Sequence, residues 1–247
     1  MGQFFCIELL LGCEKLKKLR DSSVTVIGLG AVGGYCVEAL ARAGIGRMRL
    51  VDFDSIKATN MNRHILALKS TIGRPKALLA RKRVLAINPL CEAEALNIFA
   101  SEETLDAILG NNPDLVIDAI DSLNPKAQLL KACRKKGIPV ISSMGAATRT
   151  DPLAVRIGDL FDTTHCPLAK RLRMKLKKED IGRGITCVYS AERRNLSAIG
   201  EDSLSGEDDY RRGRKRSKLG SLPTITAIFG LTIAHKAIEI LCGGFDK

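Results

Sequence analysis

The chain has no tryptophan, and aromatic residues make up only 4% of its 247 positions, so stacking of bases on aromatic platforms is a poor way for it to recognise nucleic acid. None of its eight cysteines stands at CxxC spacing from another, which excludes the four-cysteine structural zinc site. Scattered singly and often between apolar neighbours, they read as free, buried thiols of a reducing compartment. No apolar run reaches the ~20 residues of a membrane span; the longest, Ile225 to Leu241, is interrupted by Thr232, His235, Lys236 and Glu239. A transmembrane helix is therefore not expected. Leu10-Leu11-Gly12-Cys13 imitates a lipoprotein cleavage site only loosely, because Glu8 breaks the apolar stretch and no Lys or Arg precedes it. Cys6 stands where myristoylation after Gly2 requires Ser or Thr. The start reads as mature protein, and the expected location is cytoplasmic, with no membrane partner.

What is present is an ordinary globular composition, 45% apolar and 27% charged, at a length suited to one large domain. The expectation is a single domain over residues 1–247. Charge is unbalanced: 39 Lys plus Arg against 27 Asp plus Glu give a net of +12, which favours polyanionic partners. From His165 to Gly220 there are 15 basic and 8 acidic residues, a net of +7. With aromatics scarce, contact to RNA would run mainly through phosphates. Residues 193–219 carry almost no apolar side chains and read as a mobile basic loop; its Arg211-Arg-Gly-Arg-Lys-Arg216 run serves a nucleic-acid backbone or simply a solvated surface.

Val24 to Gly28 is a short apolar strand, followed by a glycine-rich turn and a helical pattern from Val32 to Ala43. Strands at Arg47–Asp52, Cys91–Ile98, Leu115–Asp118 and Ile138–Ser142 alternate with helices at Lys76–Ile87 and Pro125–Lys136. This alternation predicts an α/β, doubly wound, mostly parallel sheet of Rossmann-like type. Strands at Ala154–Ile157 and Ile185–Tyr189 extend the sheet toward the C-terminus, with a basic helix from Pro167 to Lys178 between them. Pro223 opens an apolar final helix.

Gly28-Leu-Gly30-Ala-Val-Gly33 is a GxGxxG between a strand and a helix, the context in which glycines let backbone N–H groups approach a phosphate. Asp52 follows 24 residues after Gly28, at a strand end, where a carboxylate can accept from ribose hydroxyls. To this point NAD and ATP fit equally well. Asp54, Asn60, Arg63 and Lys76 then gather beside the phosphate loop, and Asp118 and Asp121 close a later strand. Hydride transfer has no use for an Arg and a Lys there, whereas expulsion of pyrophosphate needs preorganised cations. Asp121 is suited to hold Mg²⁺ through one carboxylate, phosphates and water.

The ordered series GxGxxG, DxD, NxxR, K and DxxD resembles the ThiF/MoeB family of adenylating enzymes, related to the ubiquitin-activating enzymes. The likeness covers about residues 4 to 190. It implies an ATP- and Mg²⁺-dependent homodimer that makes an acyl-adenylate from a carboxylate. By it Gly30 and Gly33 line the ATP loop, Asp52 binds ribose, Asn60, Arg63 and Lys76 bind phosphates, and Asp121 holds the metal. Sulfur-carrier activators of the family typically carry two CxxC pairs, which this chain lacks. Glu38 to Gly46, Thr59 to Arg63, Val116 to Asp121 and Cys187 to Glu192 look more like the tRNA threonylcarbamoyladenosine dehydratase branch. That resemblance implies ATP-dependent cyclisation of the threonine carboxylate on modified tRNA, with loss of one water, and adds a sulfur-relay protein as a candidate partner. Because the attacking carboxylate and ring-closing group belong to the substrate, Cys166 and Cys187 are expected to be buried thiols and not nucleophiles. Alternatives are activation of a ubiquitin-like sulfur carrier's C-terminus, a non-catalytic adaptor and, least favoured, a nicotinamide oxidoreductase.

The chain departs from the family pattern at three places. Cys6 stands near the position of a frequent arginine that reaches the partner subunit's ATP; Arg20 or another basic residue is then expected to substitute. His64 replaces a frequent Gln and keeps a donor. Cys166-Pro-Leu-Ala169 stands where the branch often has Asp-Pro-Leu-Ala, so a thiol replaces a carboxylate.

Overall fold

The computed structural model describes residues 2–110, 112–200 and 219–245. Seven strands, β1 (Ser23–Ile27), β2 (Arg47–Val51), β3 (Glu92–Leu96), β4 (Leu115–Asp118), β5 (Val140–Ser143), β6 (Val155–Asp159) and β7 (Thr186–Ser190), form one sheet in the order β3-β2-β1-β4-β5-β7-β6. Every neighbouring pair is parallel except β6 with β7. The short, Val- and Ile-rich central strands suit burial on both faces: all four residues of β4 are buried. The predicted sheet and its extension are thus observed, with β6 closing one edge as an antiparallel strand.

Alternate strand residues point into two separate cores. On one face Leu115 and Ile117 pack with helices α3 (Ala31–Ala43), α4 (Lys76–Ile87) and α8 (Pro223–Cys242). On the other Val116 packs with α5 (Leu105–Leu109), α6 (Leu123–Lys136) and α7 (Pro167–Lys177). Two short helices, α1 (Phe5–Leu11) and α2 (Cys13–Asp21), precede the sheet. The connection reverses direction between β1 and β4, and in such sheets that reversal opens a crevice at the carboxyl ends of the strands.

α8 contains the interrupted apolar run Ile225 to Leu241. Its 20 residues are long and apolar enough, by length and composition, to cross a membrane. Here it packs as a core helix: Phe229, Ile233 and Ala237 face α3 and the sheet, while Leu231 and His235 face outward. At Gly230 an added Cβ would lie 2.4 Å from the Val32 carbonyl oxygen, so the crossing requires glycine.

Of the segment read as a loop, residues 201–218, including the Arg211–Arg216 run, lie outside the described residues. The stretch before them is folded. Asn195 caps a 3₁₀ turn at Leu196–Ala198 by accepting from the Ser197 N–H, and Ile199 pairs antiparallel with Leu219.

Candidate active site at the carboxyl edge of the sheet

β1 ends in the glycine turn. Gly28 sits at φ +89°, and a Cβ there would lie 2.7 Å from the Ala119 backbone; at Gly33 it would lie 1.9 Å from the Gly28 carbonyl oxygen. Both positions are closed to any side chain. At Gly30 a Cβ would meet nothing within 4 Å, so the outer side of the turn is open. Gly30 is the N-cap of α3 and offers no side-chain cap, which leaves first-turn N–H groups and the positive helix end facing that space.

Asp52 fastens the turn. Its Oδ2 accepts from the Leu29 N–H at 2.7 Å and its Oδ1 from the Asp54 N–H at 2.8 Å. Burial pushes its carboxyl above the usual carboxylate range, against the pull of Lys76 and these two amides. Lys76, at the mouth of α4, is buried; its Nζ pairs with Asp54 at 3.1 Å, and its N–H donates to the Asp54 carbonyl. Asn60 caps a 3₁₀ turn by accepting from the Lys57 N–H, and Arg63 on the following turn donates to the Thr59 carbonyl and to Asn62 Oδ1. Asn62 also donates to the Ser221 carbonyl, at 3.4 Å. Gly28, Gly30, Gly33, Asp52, Asp54, Asn60, Arg63 and Lys76 thus come together at one end of the sheet.

His64 packs against Gly34 of α3, 3.5 Å from where that residue's Cβ would be. Its Nδ1 accepts from the Leu66 N–H, so the ring proton of the neutral form sits on Nε2. That Nε2 is buried and faces the Leu29 backbone without a well-formed hydrogen bond. Burial, with Lys76 and Arg63 nearby, lowers the His64 pKa to about 4. A neutral imidazole therefore stands beside two cations and the helix end, surroundings that fit a polyphosphate.

The two aspartates after β4 separate in role. Asp118, expected to bind the nucleotide, is fully buried: Oδ2 accepts from Lys126 Nζ and Ser142 Oγ, each at 2.7 Å, and Oδ1 from the Ile120 N–H. It fixes the turn and does not line the crevice. Asp121 is exposed at the rim of that turn and accepts from Ser122 Oγ at 3.3 Å. Sequence reading missed Lys126; a lone lysine among the apolar positions of a helix next to an aspartate-ended strand was the available signal.

Beyond β5, Thr148 takes a left-handed conformation at φ 61°. Arg149 is 2% exposed: its Nη2 donates to the His165 carbonyl at 2.5 Å, while Nε and Nη1 are buried without partners. Cys166 beside it is buried and caps α7, its Sγ accepting from the Ala169 N–H. Cys187 is fully buried, and burial pushes its thiol up to about 12. Both cysteines are the buried thiols expected. Arg20 does not reach this site from within its own chain: its guanidinium lies 5.7 Å from the Phe4 ring centre at the end of α2, beside the opposite, amino edge of the sheet.

The ThiF family model matches residues 6–246. The chain belongs to the ThiF family. This ThiF-family chain is 41% identical over 244 residues to a tRNA threonylcarbamoyladenosine dehydratase of Bacillus subtilis, covering 98% of this chain and 95% of the relative. A dehydratase of the same description from Escherichia coli is 34% identical over 241 residues, 93% and 90% of the two chains. The crystal structure of the Escherichia coli enzyme in complex with ATP superposes with a TM-score of 0.86 at 32% identity, covering 98% of this chain and 94% of that one.

Proposed function

We propose that this chain is an ATP-dependent tRNA threonylcarbamoyladenosine dehydratase, which activates the threonine carboxylate of the modified adenosine and cyclises it with net loss of one water. The observation that carries the reading is the convergence of the open glycine turn, the uncapped helix end, Arg63, Lys76 and the buried neutral His64 ring at one crevice. The full-length likeness to dehydratases, one of them crystallised with ATP, supports it. ATP supplies the activating adenylyl group and the pyrophosphate leaving group. The backbone N–H groups of the glycine turn hold phosphate oxygens, and Asp52, already fastening the turn through two amides, keeps lone pairs for the ribose hydroxyls.

Arg63 and Lys76 meet the charge that builds on the departing pyrophosphate. Lys76 must exchange its Asp54 contact for phosphate, since it points along the crevice already paired. Asp121 would hold Mg²⁺, an ion that asks for one or two carboxylates besides phosphates and water; among the described residues no group of three His, Cys, Asp or Glu is placed to cage a metal alone. Action as a homodimer in the cytoplasm, on tRNA and with a sulfur-relay protein as a further partner, belongs to the same proposal, as does a single domain over residues 1–247.

Mass spectrometry of nucleosides from tRNA bearing threonylcarbamoyladenosine, incubated with protein and Mg²⁺ with or without ATP, tests the reading. ATP-dependent loss of one water is expected. An intact nucleoside, with protein that demonstrably binds ATP, overturns the tRNA assignment and directs attention to carrier-protein carboxyl termini. Arg63→Ala should lower ATP-dependent turnover by roughly 10²–10³, the loss typical of one charge-stabilising donor, with the unfolding curve unchanged.

A further inference from the structure

We propose that the solvent face of α7 is the surface on which the phosphate backbone of the RNA substrate lies; this deepens the function proposed above and rests on it. α7 buries a stripe of Ala169, Leu172 and Leu176. At 100° per residue the opposite arc carries Lys170, Arg171, Met174, Lys175, Lys177 and the C-cap Lys178. Five of these six are cations, and the helix contains no acidic residue. A solvated helix face is usually laced with opposite charges three and four residues apart; here Arg171 and Lys175 repel at that spacing with nothing between them.

Several cations elsewhere on the surface are paired. Arg42 and Arg83 share Glu38, Lys136 meets Asp106, and Arg183 meets Asp162. Glu179, just beyond α7, is engaged by Lys131 at 2.5 Å. Among the described residues no salt bridge is made by the five cations of the arc; Lys175 donates to the neutral Asn124 Oδ1 at 2.7 Å, and Lys177 lies over the Phe161 ring. Glu179 attracts Lys175 but is shared with Lys131 and Lys135, so the arc keeps an excess of positive charge; such an excess is a phosphate-binding pattern, and the absence of aromatics on the arc makes it a surface for backbone and not for bases.

The position is apt. The Lys175–Asn124 bond ties α7 to the first turn of α6, three residues beyond Asp121, so a strand held along the helix passes the rim of the crevice. A membrane surface fits less well: interfacial helices insert an apolar face, and the apolar face of α7 is already in the core.

The test is binding of tRNA to the full chain and to the combined variant Lys170→Gln, Arg171→Gln, Lys178→Gln, followed against salt by fluorescence anisotropy. The variant should bind at least tenfold more weakly. Its log–log salt slope should be shallower by about 2–3, close to one counterion per lost phosphate contact. ATP binding should be unchanged, and in turnover KM for tRNA should rise while kcat holds. Wild-type affinity and slope in the variant overturn the proposal, and so does variant-sensitive binding to vesicles of anionic phospholipid with tRNA binding intact. Binding needs no reaction, so the two readings fail separately: variant-sensitive tRNA binding without dehydration sinks only the function, and dehydration with variant-insensitive binding sinks only this surface.

Discussion

The ends of β4 and β5 lie side by side in the sheet and manage buried charge in opposite ways. At β4, Asp118 accepts from Lys126, Ser142 and the Ile120 amide, so an ion pair at 0% exposure is satisfied on both sides. After β5, Arg149 is nearly as deep, yet only one of its three nitrogens is bonded. The difference is which member of the pair is present. A carboxylate at position 166 would stand beside the guanidinium; this chain offers a thiol. The first region shows how a saturated network places the Asp121 turn, and the second leaves a buried guanidinium with one hydrogen bond and the more distant attraction of Glu192.

The largest effect should come from breaking the saturated side. Lys126→Met leaves Asp118 buried and uncompensated, and should lower the unfolding free energy by about 3–5 kcal/mol, read by urea denaturation. Adding Asp118→Asn removes the stranded charge and should recover part of that loss. No recovery would mean that the lysine stem, not the ion pair, matters there.

His64 gives the next effect. Its folded pKa of about 4 lies below the ordinary 6.5, so between these values the unfolded chain binds the proton more readily. The associated stability is full above about pH 6.5 and is lost as pH falls toward about 4, amounting to roughly 3 kcal/mol. His64→Gln should flatten that part of the stability–pH curve; an unaltered curve would show that the ring is not buried neutral.

On the unsatisfied side, Cys166→Asp should raise stability by about 1–3 kcal/mol by pairing Arg149, again by denaturant titration. A decrease would mean that the carboxylate cannot reach the guanidinium. Smallest of all, Cys187→Ala should cost about 1 kcal/mol through a small cavity and leave the turnover of folded protein unchanged, whereas lost turnover would reinstate it as a nucleophile.

Much of this was legible in the sequence. Lys76–Ile87 and Leu115–Asp118 appear as read, because a 3.6-residue period and a short apolar run between turn signals leave few alternatives. The glycine turn, Arg63 and Lys76 could be placed because their spacing serves one local unit. The role of Asp118 could not: whether an aspartate at a strand end faces the crevice or a lysine eight residues on is settled by side-chain direction. Arg149 was equally hidden, its meaning depending on what the distant His165–Cys166 turn supplies. α8 was read as an apolar final helix and is one; that its apolar length is a core face follows from its packing on α3.

That last contact also imposes a timetable. α3, whose first turn faces the phosphate space, ends at Ala43, while α8, which seats it at Gly230, begins only at Pro223. At ~5–20 residues per second of synthesis the ribosome needs roughly 10–40 s to make the intervening chain. Throughout that interval α3 exposes the apolar stripe of Val32 and Cys36 that α8 will cover. The nascent protein therefore owns its glycine turn long before it owns a rigid nucleotide site, and the closing helix–helix contact is a late, sequence-distant step of the kind that slows folding.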